Sequence, residues 1–467
     1  MDLVIQGGTV VTADSTFIGD IGIRGEKIAQ MGGEMAGQRE VDAAGKLVFP
    51  GGVDMHVHMG PYTNRAETVD DFLSGTGGAA AGGNTTVGNI TLYRGPSSFS
   101  RPPSAAPGAR GILAWLEEAL ADASSKAIID FTLHPVIDDP SEQTIAELPR
   151  LADMGFTSIK IFMVSRRFED RTDEYVRVIA AAGDNGILTM VHCEDGPIIN
   201  FAIQRLLAQG KGDARYFPDS RPICAEAVSV TRAAALAEAT GSPVYIVHTS
   251  SADALDACRR ARARGLPLYV ETRPIYLYLT RERFEEPDAA RYVGYPPLRT
   301  QQDVDALWDG LAKGDIQTLC TDHVAWSLAQ KLAPGLDVSS FPPGMANMET
   351  RMPMLYSEGV VKGRISINRF VELTCTNPAK LFGLFPQKGT IGIGADADIV
   401  VWDPDLRRTI HAPRMNTNAD FDAYEGWEVQ GWPICTISRG QVVHEEGRIV
   451  GAAGRGRVVQ RRRFQGL

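Results

Sequence analysis

The chain has 467 residues, 44% of them hydrophobic, which is ample for a large core and suggests two or three domains. Acidic residues outnumber basic ones by 57 to 47, and the net charge of -10 favours solubility and argues against a general nucleic-acid binder. Six scattered cysteines with no Cys-x-x-Cys pair exclude a disulfide framework or zinc ribbon, and they fit a reduced, cytoplasmic enzyme. The first residues lack the basic-then-apolar pattern of a leader, and no apolar run is long enough to span a bilayer, so no membrane partner is expected.

In chain order, residues 1–50 read as short strands at 3–5, 9–11, 21–23 and 27–29, separated by turn-forming residues. The far end has the same texture, with a turn and strand at 394–403 and a hairpin at 434–443. Two β-rich ends around a different middle predict one discontinuous small domain, 1–50 with 388–467, around a central domain at 51–387. The basic tail at 455–463 reads as a solvated or subunit-contacting terminus.

The middle alternates. Strand-like apolar runs fall at 53–58, 85–91, 127–134, 157–163, 187–193, 243–248, 266–271 and 317–322. Segments of helical length at 112–122, 225–239, 252–264 and 302–313 separate several of them. The fold class is therefore α/β, a (β/α)8 TIM-like barrel with a small β-sandwich domain built from both termini. The runs are nearly continuous in apolar residues, as strands buried on both faces must be.

The run Phe49 to His58 ends in His56-Val57-His58, and residues two apart in a strand project to the same side. Alone, such a pair is weak evidence for a metal, because a single histidine is more often a satisfied core residue. Here His192 and His248 also close predicted strands, and Asp322-His323 closes the last one. Catalytic groups of such barrels gather at the carboxyl ends of the strands. Lys160 interrupts the apolar run Ser158 to Met163, where a buried ammonium is costly. It either snorkels outward or is neutral and reacts with carbon dioxide, giving a carbamate with two anionic oxygens. His56, His58, Lys160, His192, His248 and Asp322 then make a site for two divalent metal ions.

The ordered motifs Pro50 to His58, Val69 to Thr76, Ala81 to Thr86, Lys160 to Met163, Val191 to Gly196, Ser220 to Pro222, Val247 to Ser251, Glu271 to Pro274, Pro296 to Arg299 and Thr321 to His323 resemble the cyclic amidohydrolases, specifically their dihydropyrimidinase/hydantoinase branch. The stretch Gly392 to Asp398 resembles that family's small β domain, so the resemblance covers essentially the whole chain. It implies that His56 and His58 bind the more buried metal, that carboxylated Lys160 (N6-carboxylysine) bridges both, and that His192 and His248 bind the second. Asp322 is implied to bind the first metal and to shuttle a proton, with a metal-bridging hydroxide attacking a cyclic amide, imide or ureide C–N bond. Zinc is the foremost candidate metal, although the ligands also suit manganese, cobalt or nickel. A homo-oligomer, tetramer or dimer, is implied as well.

The residues around the substrate depart from that family. Ser165 stands where a tyrosine usually helps hold the oxyanion, Tyr295 where serine precedes Pro-Pro-Leu-Arg, and Arg273 where cysteine is common. Pro343 replaces an asparagine, for which Asn347 is a candidate stand-in. Ser165, Tyr295, Arg273 and Asn347 are thus the candidate substrate contacts, with Tyr295 a chemical substitute for the oxyanion donor. Arg166, Arg167 and Arg273 either hold a substrate carboxylate or are ordinary surface arginines. The rival activities are allantoinase-like, dihydroorotase-like or acyclic amide hydrolysis. Met59-Gly60-Pro61 after the histidine pair lacks the dihydroorotase arginine. The rival from another class is an inactive dihydropyrimidinase-related scaffold protein, which would have lost metal ligands.

Overall fold

The computed structural model describes residues 1–63, 66–91 and 111–467, and the side chains of 61–63 and 66 are outside that description. Its centre is a closed barrel of eight parallel strands. We number them β1 (Gly52–His58), β2 (Asn84–Thr91), β3 (Asp130–Pro135), β4 (Ser158–Phe162), β5 (Leu188–His192), β6 (Val244–Ile246), β7 (Leu268–Thr272) and β8, which is split into Thr318–Leu319 and His323–Val324. Each strand pairs in parallel with the next, β3 and β4 through the single bridge Val136↔Lys160, and His323–Val324 closes the ring on β1. All eight overlap the predicted apolar runs, although the His323–Val324 part of β8 lies just past its run.

Alternation decides what each strand offers the interior. On β4, Ile159 and Ile161 pack outward in the core shared with the helices, so Lys160 faces inward. On β5, Leu188 and Met190 pack in the inner core, which puts His192 on the same side. Gly51 is required by close approach: a Cβ there would lie 2.0 Å from Thr85 Oγ1. The helices start and stop on local chemistry. Ser251 caps Ala252–Ala263 by accepting from Ala254 N, and left-handed Gly241 and Gly314 end Ile223–Thr240 and Gln301–Lys313.

The two termini build one nine-stranded sheet. Leu3–Val11 pairs with Thr16–Arg24 on one edge and with both Arg39–Asp42 and Leu47–Pro50 on the other, and Ile399–Thr409 and Glu428–Ser438 continue it. Leu3, Ile5, Ile21, Ile23, Val48, Ile399, Val401 and Ile437 share one core. The sheet is tied to the barrel by buried charge. Lys388 pairs with Asp130 of β3 (2.6 Å) and Asp398 of the sheet (2.8 Å), and Arg439 also grips Asp130 (2.9 Å).

The basic tail differs from a solvated terminus. It hydrogen-bonds to Ala127, Phe131, Gly155 and Gly186, and Arg461 is buried against Ser158 Oγ (2.7 Å) and Leu133 O. Its backbone pairs with β3, so the segment is part of the barrel's packing; Arg462 and Arg463 remain exposed. No helix among the described residues is long and apolar enough to cross a membrane.

Candidate metal centre

The carboxyl rim of the barrel gathers the sequence-derived ligands. His56, His58 and Asp322 each offer one atom, and these atoms all lie within 4.8 Å of one another. Asp322 Oδ1 sits 3.2 Å from His56 Nε2 and 3.0 Å from His58 Nε2. Across the rim, His192 Nδ1 and His248 Nε2 face each other at 2.9 Å. Lys160 is fully buried. Its Nζ has no hydrogen-bond partner among the described residues and lies 5.0 Å from the Phe162 ring centroid.

Two candidate ligands sit just beyond regular strand, in left-handed backbone that non-glycine residues seldom adopt. His248 has φ 42 and Asp322 φ 49. These residues end β6 and split β8, which is why both elements are shorter than the apolar runs. The Asp322 turn is held by its own N–H to His56 O (2.7 Å) and by Asp54, which binds Thr321 N (3.1 Å) and Oγ1 (2.6 Å).

Buried carboxylates orient the imidazoles. His56 Nδ1 donates to Glu271 Oε1 (2.7 Å), leaving Nε2 free to accept a cation. The same Glu271 oxygen accepts from His248 N (2.9 Å), and its other oxygen from Tyr245 OH (2.9 Å). His192 Nε2 donates to Glu194 (2.8 Å), itself held by the Arg221 guanidinium, so Nδ1 is turned inward. The motifs contain Glu271 and Glu194, but sequence reasoning assigned them no role. The available signal was an acid inside an apolar strand for Glu271 and just past one for Glu194, since a buried carboxylate demands partners.

Cation binding needs neutral imidazoles and anionic carboxylates, and every candidate ligand but His56 is shifted that way. Burial lowers His58 to about 4 and pushes His192 and His248 down as well. Burial also opposes the charged form of His56, but Glu271 and Asp322 outweigh it and raise that group. Burial resists the Asp322 carboxylate, yet Arg273 and then His56 hold it well below the usual range. Burial brings the Lys160 amine down to about 8, close to the neutral form that reacts with carbon dioxide. The donor set, with its facing nitrogens and buried unbonded amine, fits two divalent ions.

The candidate substrate contacts are placed differently from their expectation. Ser165 is used locally: its hydroxyl caps the helix Arg166–Asp170 by accepting from Phe168 N (3.1 Å). Arg273 is fully buried with NH1 3.0 Å from Asp322 Oδ2, which corrects the surface reading. Arg166 pairs with Asp170 and Arg167 with Asp138. The Tyr295 ring stacks on Phe217 and lies 3.8 Å from the Arg221 guanidinium, while its hydroxyl donates to Phe341 O (3.3 Å), away from an oxyanion role. Asn347 Nδ2 donates to Thr321 O (3.2 Å), and its buried Oδ1 has no partner among the described residues. His323 is engaged on both nitrogens, by Asp70 (3.1 Å) and by Asn347 N (3.1 Å).

A closed parallel barrel with histidines, a lysine and an aspartate at its carboxyl rim defines a class of hydrolase, and comparison with known proteins agrees. Residues 47–443 match the amidohydrolase family, and the chain belongs to it. Within that family it falls in the hydantoinase/dihydropyrimidinase branch. It is 39% identical to a D-hydantoinase of Ralstonia pickettii, with 100% of both chains covered. It is 37% identical to a D-phenylhydantoinase of Escherichia coli over 99% of each. The crystal structure of dihydropyrimidinase from Brevibacillus agri NCHU1002 superposes with a TM-score of 0.94 at 36% identity, covering 100% of both chains.

Proposed function

We propose that the protein is a metal-dependent hydrolase that opens the ring of a cyclic amide, imide or ureide, with D-configured 5-substituted hydantoins as its first substrate class. The observation that carries this reading is the convergence of His56, His58 and Asp322 within 4.8 Å at the rim that also holds His192, His248 and Lys160. His56, His58 and Asp322 would hold one cation and His192 and His248 a second. Lys160, carboxylated on Nζ, would offer an oxygen to each. Two divalent ions, zinc foremost, would supply Lewis acidity at the substrate carbonyl and lower the pKa of a water.

The chain's own groups do the rest. Water adds to the carbonyl carbon, Asp322 accepts its proton, and the same carboxyl returns that proton to the nitrogen as the C–N bond breaks. Oδ2 of Asp322 is ion-paired with Arg273 but keeps a lone pair for this transfer. Glu271 and Glu194 keep the imidazoles turned to the cations. Asn347 Oδ1 is the acceptor we assign to a ring N–H, and the Tyr295 ring, braced by Phe217 and Arg221, forms a side wall. Six free cysteines support a cytoplasmic setting, and a homo-oligomer, tetramer or dimer, is the assembly we assign.

The test is a substrate screen of zinc-loaded protein on hydantoins, dihydrouracil, cyclic imides, allantoin, dihydroorotate and linear amides. Ring opening of 5-substituted hydantoins to the N-carbamoyl acid is the expected result. Stoichiometric metal without ring opening of any cyclic substrate would overturn the proposal. The absence of bound metal, and of the mass of one added carbon dioxide on Lys160, would favour the scaffold reading.

A further inference from the structure

Arg273 has no solvent exposure, yet it ends in the metal centre. Its guanidinium holds three atoms of one short segment. Nε donates to Thr321 O (3.1 Å), NH2 to Asp322 O (3.4 Å), and NH1 pairs with Asp322 Oδ2 (3.0 Å). These bonds grip the backbone and side chain of a residue in left-handed conformation, φ 49. The planar fork of a guanidinium suits this work, because its N–H groups leave in fixed directions. With Oδ2 held, Oδ1 is the oxygen presented to His56 Nε2 (3.2 Å) and His58 Nε2 (3.0 Å).

The surroundings leave this arginine no second task. A Cβ on Gly294 would lie 3.2 Å from NH1, and Tyr276 OH lies 3.5 Å away, so protein packs both flanks. Tyr276 OH in turn donates to Pro296 O (2.6 Å). Arg273 therefore links Asp322 to the segment that carries Tyr295.

We propose that Arg273 is a positioning residue that presents Asp322 to the first cation through Oδ1 alone and holds its strained backbone in place. The proposal rests on the metal-centre reading and assigns this chain's departure from the usual cysteine to the centre, not to the substrate.

The experiment compares wild type with Arg273→Met and Arg273→Lys. Zinc content is measured against increasing chelator, kcat and KM are measured on neutral and carboxylate-bearing hydantoins, and folding is followed by circular dichroism. Arg273→Met is expected to weaken zinc retention or kcat by about 10- to 100-fold, as losses behind a metal ligand do, with KM little changed. Arg273→Lys, which can reach Oδ2 but cannot span the two carbonyls, should recover part of both. Equal losses on both substrate classes support positioning. A loss confined to carboxylate-bearing substrates, or zinc retention and kcat equal to wild type in folded variants, would overturn it. Should Arg273→Met not fold, Arg273→Lys decides alone: wild-type zinc retention and kcat in it overturn the proposal. If wild type binds zinc but opens no ring, the functional reading fails while the chelator titration still tests Arg273.

Discussion

Replacing Lys160 by methionine in metal-free protein kept clear of carbon dioxide should stabilise it, although the same change removes a residue of the proposed metal centre. Lys160 is fully buried, and burial lowers its amine from the ordinary 10.5 to about 8. That fall corresponds to about 3 kcal/mol of stability lost when the group is charged in the fold. The folded group releases its proton more readily than the unfolded one. Stability is therefore highest above pH 10.5, declines as pH falls from 10.5 to about 8, and stays low below that. Methionine has similar length, needs no proton and opens no large cavity. Urea unfolding at pH 7 should thus show Lys160→Met more stable by up to about 3 kcal/mol, with the gap narrowing at pH 9.5 to 10. Hydantoin ring opening should be lost. Equal or lower stability of the variant at pH 7 would mean that the ammonium is compensated within the fold, and the case for a neutral, carbon-dioxide-reactive lysine would fail.

Glu271→Gln keeps the shape of the side chain but weakens a charge-assisted bond to His56, so zinc retention should fall by about 1–2 kcal/mol, read by chelator titration. Glu271→Ala strands donors from His56, His248 and Tyr245 and should lower the melting temperature as well. Chelation should abolish activity, and recovery with zinc should be faster with bicarbonate than without it; identical recovery would count against the carbamate. Ser165→Ala removes a helix cap and should cost about 1 kcal/mol in unfolding experiments with kcat unchanged. A large fall in kcat at full folding would restore Ser165 to the substrate pocket.

The barrel was legible because its signal is local. Eight runs of apolar residues at strand length, spaced by helical segments, admit few arrangements, and right-handed parallel crossovers reduce those to a closed barrel. The grouping of the candidate ligands was legible for a related reason. Residues that end strands of one barrel share a rim, so His56, His58, His192, His248 and Asp322 could be grouped without knowing a single distance. Lys160 stood out because a cation in a strand buried on both faces needs a chemical reason.

What lay beyond the sequence was each polar group's partner. Glu271 had no assigned role in the sequence until the closed barrel brought His56, His248 and Tyr245 onto its carboxylate. Arg273 read equally as a surface charge or a substrate anchor, and only packing showed it sealed behind Asp322. Residue order decides which face of a strand a side chain takes, because alternation is a property of the backbone. Which donor meets which acceptor depends on contacts between residues tens to hundreds of positions apart, as between Asp54 and Thr321, and only the closed barrel brings those together.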